Sequence, residues 1–155
     1  MPGDVDRDAV VALLGRTPFT DYRIAVRCPH GGPAILENTP IDLRGRPFPT
    51  RYWLACRALG EAVSRLEASG GVRDLERDPD LAEALAATNA RHRELHAGRN
   101  IGGTADPLRP KCLHAHLAFG LATGGNPVSD WILERSGAGW PDHCCVPEEA
   151  SRGDQ

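Results

Sequence analysis

The order of apolar and polar residues divides the chain into helical and extended segments. Val10, Val11, Leu13 and Leu14 follow Asp4 and Asp6, either of which can cap a helix, and Gly15 stops the run, which predicts a docking helix through about Leu14. After the Thr17-Pro18 break, Tyr22, Ile24 and Val26 alternate with Arg23, Ala25 and Arg27, the period-two pattern of a strand with one buried face. That strand delivers Cys28. Pro29-His30-Gly31-Gly32-Pro33 reads as a turn, and Ala34 to Leu36 as a short returning strand. Residues 38–50, with Pro40, Gly45, Pro47 and Pro49, predict an irregular loop bearing Arg44 and Arg46. From Phe48 to Cys56 the residues Tyr52, Trp53 and Leu54 show no alternation, so this stretch is expected to be a strand buried on both faces.

The remainder reads as helix. Leu59, Val63 and Leu66 give helical spacing up to Ala68, where Gly70-Gly71 ends the element. Asp78 as cap and Pro79 at the first position open the strongest helix, which runs through Leu81, Leu85, Thr88 and Leu95 to about His96. His92 and His96 lie one turn apart there and are expected to be solvated. A Gly/Pro-rich loop over 98–110 leads to a central helix from Lys111 to about Thr123 with Leu113, Leu117 and Leu121 as its core stripe. Asn126-Pro127 opens a short helix carrying Trp131, Ile132 and Leu133. The pattern predicts one α+β domain over residues 1–147, a small mainly antiparallel sheet packed by four or five helices, and a disordered tail over 148–155.

Composition adds little beyond solubility. A charged fraction of 25% with a formal charge of -3 gives no electrostatic case for nucleic acid. The acidic N-terminus lacks a signal-peptide layout and no apolar run reaches a membrane span, so the expected location is cytoplasmic. In that reducing compartment five cysteines, an odd number, are expected to be free, metal-bound or catalytic rather than disulfide-paired. Of 18 basic side chains all but Lys111 are arginines, planar forks suited to carboxylate or phosphate.

The chemistry concentrates in Lys111-Cys112-Leu113-His114-Ala115-His116. On a helix Cys112 and His116, four apart, share a face, whereas His114 points elsewhere. The other cysteines, Cys28, Cys56 and the vicinal Cys144-Cys145, sit at the edges of predicted elements, tens of residues apart and without the close Cys-x-x-Cys pairs of zinc knuckles. Three readings stay open. The thiols fill the core. Alternatively, Cys28, Cys56, Cys112 and one of Cys144 or Cys145 converge on an iron-sulfur cluster, such as [4Fe-4S], or on Zn2+ with His116, His30 or His143 assisting. In the third reading Cys112 is a nucleophile with His114 or His116 as base, and Arg27, Arg44 or Arg57 hold a small anionic, phosphorylated substrate. The backbone amides of the His30-Gly31-Gly32 turn offer an anion nest near Cys28, and Arg27 and Arg57 stand next to the cysteines at the two strand ends.

Taken together, Arg27-Cys28-Pro29 with Gly31 to Pro33, Pro47-Phe48-Pro49-Thr50 leading through Tyr52 to Cys56, Lys111-Cys112-Leu113-His114 and Asn126-Pro127 resemble the actinobacterial domain of unknown function 501 family over roughly residues 8–145. The resemblance implies that Cys28, Cys56, Cys112 and His114 belong to characteristic motifs, with a further cysteine near the C-terminus, and so favours metal over core filling. It implies no activity. Genes of that family tend to lie beside those for a septum-formation initiator and an exopolyphosphatase, which suggests a non-catalytic cell-division partner as a further alternative. Where some relatives have a second cysteine two residues after the first, this chain has His30.

Overall fold

Three antiparallel strands, β1 (Tyr22–Arg27), β2 (Pro33–Asn38) and β3 (Tyr52–Leu54), form a meander in sequence order in the computed structural model, which describes residues 4–147. Around it stand six helices: α1 (Asp4–Leu14), α2 (Arg57–Ala68), α3 (Gly71–Arg77), α4 (Ala82–Leu95), α5 (Leu113–Ala122) and α6 (Pro127–Ser136). The architecture is α+β, as the pattern predicts. None of these helices is long and apolar enough to cross a membrane.

β2 organises the packing because both of its faces are covered. Adjacent strand residues point to opposite sides, so Leu36 joins Val10 and Leu13 of α1 while Ile35 joins Tyr52 and, from α5, Ala115, Ala118 and Phe119. The sheet is therefore sandwiched between α1 and α5. On its far side α5 meets Val63, Leu75, Leu85, Val128 and Ile132 from the surrounding helices. Seven of its residues, from Leu113 to Gly120, are buried, the pattern of a helix enclosed on all sides. At Gly120 the approach of α6 is closest: a Cβ there would lie 2.1 Å from Ser129 Cβ.

Several expectations change. Tyr22, Ile24 and Val26 do not share one face, because the register shifts between Ile24 and Val26; Ile24 pairs with Leu36 on the α1 side and Val26 with Ile35 on the α5 side. The strand expected over 48–56 is only three residues long, since the amides of Ala55 and Cys56 both turn to the Ala34 carbonyl and end the ladder. Gly70-Gly71 ends α2 and also starts α3, an element the pattern does not predict. The long helix expected from Asp78 divides into a 3-10 turn, Pro79–Leu81, capped by the Asp78 carboxylate, and α4.

His92 and His96 are buried, not solvated. His92 Nε2 accepts the Arg51 amide at 3.2 Å while Nδ1–H donates to the Arg99 carbonyl at 2.6 Å, and His96 Nε2–H donates to the Phe48 carbonyl at 2.6 Å. Both histidines thus tie flanking loops to α4, a role the helical spacing alone does not reveal. The tail expected over 148–155 lies outside the described residues.

Candidate functional site

Two clusters of donor side chains emerge, and they divide the five cysteines differently from the sequence reading. The first gathers Cys28, Cys56, Cys144 and Cys145 in one apolar pocket with Leu13, Pro33, Ala34 and Val146. Cys28 leaves the end of β1 into a tight turn in which its amide bonds the Gly32 carbonyl at 2.9 Å and the Gly32 amide donates to Cys28 Sγ at 3.3 Å. Cys56 is the N-cap of α2, and although its side chain makes no capping hydrogen bond, its sulfur lies beside the first-turn amides of Ala58 and Leu59. Cys144 and Cys145 arrive on the irregular segment after α6, fastened where His30 Nε2–H donates to the Pro141 carbonyl at 2.8 Å. Among the described residues all five cysteines are free thiols.

One sulfur pair is close, with Cys144 Sγ 4.0 Å from Cys28 Sγ, and Cys145 is the sulfur neighbour of Cys56. Burial pushes the Cys56 and Cys144 thiols up from their ordinary range, and the neighbouring sulfurs push in the same direction, against the backbone N–H groups that favour thiolate. Gly32 is what permits this approach, because a Cβ there would lie 2.4 Å from Cys144 Sγ and 3.4 Å from Cys28 Sγ.

Cys112 is not in this pocket. It packs beside the Ile35–Tyr52–Phe119 cluster, and its sulfur joins Glu67 and His114 in a group whose donor atoms all lie within 4.8 Å of one another. The helix begins at Leu113, so Cys112 is its N-cap, with extended backbone at φ -149° and ψ 119°. A residue outside the helix does not follow helical spacing, and its side chain turns to His114 rather than to His116. His114 Nδ1 is 3.2 Å from Glu67 Oε1, and Glu67 Oε2 accepts the Leu113 amide at 2.8 Å. The Cys112 contact, with the charge of Glu67 behind it, raises His114 to about 9 despite burial. The sequence reading missed Glu67. Its signal is position: Gly60, Ser64 and Glu67 fall four and three residues apart, on one face of α2.

His116 is fully buried, both ring nitrogens lack a hydrogen-bond partner, and burial together with nearby His92 lowers it to about 4. The arginines expected to hold an anion are engaged elsewhere. Arg27 grips Asp6 through both nitrogens at 2.9 and 2.8 Å and bonds the Gly31 carbonyl, while Arg57 reaches the Ala12 carbonyl, so both fasten α1. Arg44 is exposed on the 39–50 loop. A surface groove of about 650 Å3 between α4 and the α5–α6 turn is lined by none of the residues singled out above as ligands or catalysts.

A family model described as a protein of unknown function (DUF501) matches residues 24–100 and 86–134. No curated protein and no solved structure matches the chain.

Proposed function

The chain belongs to the DUF501 family of proteins of unknown function, and from that footing we propose that it is a metal-binding protein whose centre is held by Cys28, Cys56, Cys144 and Cys145. The observation that carries this reading is the convergence of four sulfurs from three distant segments in one pocket. The Gly32 amide aimed at Cys28 Sγ supports it further, since an N–H group directed at sulfur favours the thiolate that binds metal and tunes a bound cluster.

The spacing favours an iron-sulfur cluster over zinc. A zinc tetrahedron with bonds of about 2.3 Å puts every pair of sulfurs about 3.8 Å apart. Here no three of the four sulfurs fall within 4.8 Å of one another, whereas the Cys28–Cys144 pair at 4.0 Å suits one iron of a two-iron cluster, which takes two thiolates on each iron. Because the ligands span most of the fold, the bound centre ties the sheet, the start of α2 and the segment after α6 together.

Anaerobic purification with elemental analysis and an absorption spectrum tests this. The expected result is iron and sulfide at about two each per chain with a broad band near roughly 400 nm, lost in Cys28→Ser and in Cys56→Ser. Colourless protein with one zinc per chain that Cys28→Ser and Cys56→Ser lose replaces the cluster by an ion on the same sulfurs. Metal-free protein with four freely titrating pocket thiols and a melting temperature indifferent to chelator rejects the proposal.

A further inference from the structure

The cluster at the start of α5 shares no residue with the thiol pocket, and its sulfur, nitrogen and oxygen donors lie within 4.8 Å of one another. In a tetrahedral zinc site with bonds of about 2.0–2.1 Å, neighbouring nitrogen and oxygen donors lie about 3.3 Å apart. His114 Nδ1 and Glu67 Oε1 are already 3.2 Å apart. The remaining atoms of both side chains are held from behind. His114 Nε2 is 3.0 Å from the Gly60 carbonyl and 3.0 Å from Ser64 Oγ, the outward hydrogen bond that a metal-bound imidazole makes to fix its tautomer and aim its other nitrogen. Glu67 Oε2 is occupied by the Leu113 amide, which leaves Oε1 free to face inward. A plain carboxylate–imidazole ion pair needs no third donor, yet the N-cap geometry of Cys112 brings its sulfur to the same point.

We propose that Glu67, Cys112 and His114 form a second metal site, selective for a divalent ion of borderline softness such as zinc. Sulfur, nitrogen and oxygen donors together suit zinc and exclude magnesium or calcium, which take oxygen. Three protein ligands leave a fourth position, and two of the three, Cys112 and His114, line a groove of about 560 Å3 with Tyr52, Trp53 and Lys111. Three ligands and an open position make the catalytic rather than the structural type of zinc site, one that takes water or a small oxygen or sulfur ligand. Since the donors differ from those of the thiol pocket, the two sites succeed or fail separately.

Calorimetric titration of zinc into the full-length chain, with the metal of the thiol pocket quantified beforehand, tests the proposal against Glu67→Gln, Cys112→Ser and Cys56→Ser. The expected result is one zinc equivalent that Cys56→Ser retains and Cys112→Ser loses, with affinity weakened roughly 10- to 100-fold or more in Glu67→Gln. Glu67→Gln keeps the acceptor for the Leu113 amide, so it separates ligand loss from unfolding, and circular dichroism checks each variant. With cobalt in place of zinc, a thiolate-to-cobalt absorption band appears that Cys112→Ser removes. Equal zinc uptake in the unaltered chain, Glu67→Gln and Cys112→Ser overturns the proposal. So does a Cys112 thiol that is alkylated at the same rate with and without zinc, the behaviour of an unligated nucleophile.

Discussion

Replacing Gly32 by alanine tests the thiol centre without touching a sulfur. The backbone there is not left-handed, so alanine meets no φ penalty, and both hydrogen bonds of the Cys28 turn survive. The new Cβ, however, lies 2.4 Å from Cys144 Sγ and 3.3 Å from Val146 Cγ2. Ordinary carbon–sulfur contact is about 3.7 Å, so the Cys144 sulfur must retreat by roughly 1.3 Å, several times the ~0.2 Å by which metal–ligand distances vary. Overpacking by one methyl costs about 1–3 kcal/mol, or roughly 2–12 °C in melting temperature for a chain of this size. The loss of a ligand adds to that only if metal is present. Metal content per chain and thermal unfolding with and without chelator read both effects, with Gly139→Ala as control because nothing lies within 4 Å of its added methyl. The expected outcome is a Gly32→Ala protein that folds, retains five thiols, holds little iron and loses the part of its chelator response that depends on iron. Full metal content at unaltered affinity in Gly32→Ala refutes the reasoning.

Other expectations follow from the packing and the buried histidines. Gly120→Ala drives a methyl into Ser129 at 2.1 Å where α5 crosses α6, and a loss of about 2–4 kcal/mol is expected in denaturant titration; an unchanged midpoint would mean the helices separate freely. Asn126→Ala removes the capping box in which Asn126 accepts the Ser129 amide at 2.8 Å and Ser129 Oγ accepts the Asn126 amide at 3.1 Å, at a cost of about 1 kcal/mol read as a drop of roughly 2–4 °C. Burial lowers His92 to about 4, so the unfolded chain takes up a proton that the folded chain refuses as pH falls from about 6.5 to about 4. The contribution of His92 is therefore full above that window and falls by up to about 3 kcal/mol through it, His96 being lowered for the same reason; equal unfolding free energies at pH 7 and pH 4.5 contradict this.

Most elements were legible because their signals are local. Asp4 and Gly15 bracket α1, Asn126-Pro127 opens α6, and the apolar run after Cys112 marks the enclosed α5. What escaped depends on contacts between remote segments. The face change within β1 comes from register against β2, and the burial of His92 and His96 comes from the loops that fold over α4. The site divides in the same way. That sulfurs distant in sequence gather is visible in their placement at element edges, but which of them gather is set by the path of the chain after α6. The pairing of Cys112 with His114 instead of His116 turns on where the helix begins, a matter of one residue. Glu67 carries no motif, only its place on α2 opposite a helix start that lies 46 residues away.

The two halves of the thiol pocket are also far apart in time. Cys28 and Cys144 are separated by 116 positions. At about 5–20 residues per second, Cys28 is synthesised roughly 6–23 seconds before its partner sulfur. For that interval the early cysteines stand without the groups that cover them, and oxidants reach the nascent chain more easily than the finished one. Damage to this centre is therefore expected to track oxidative stress during translation, with mature protein comparatively spared.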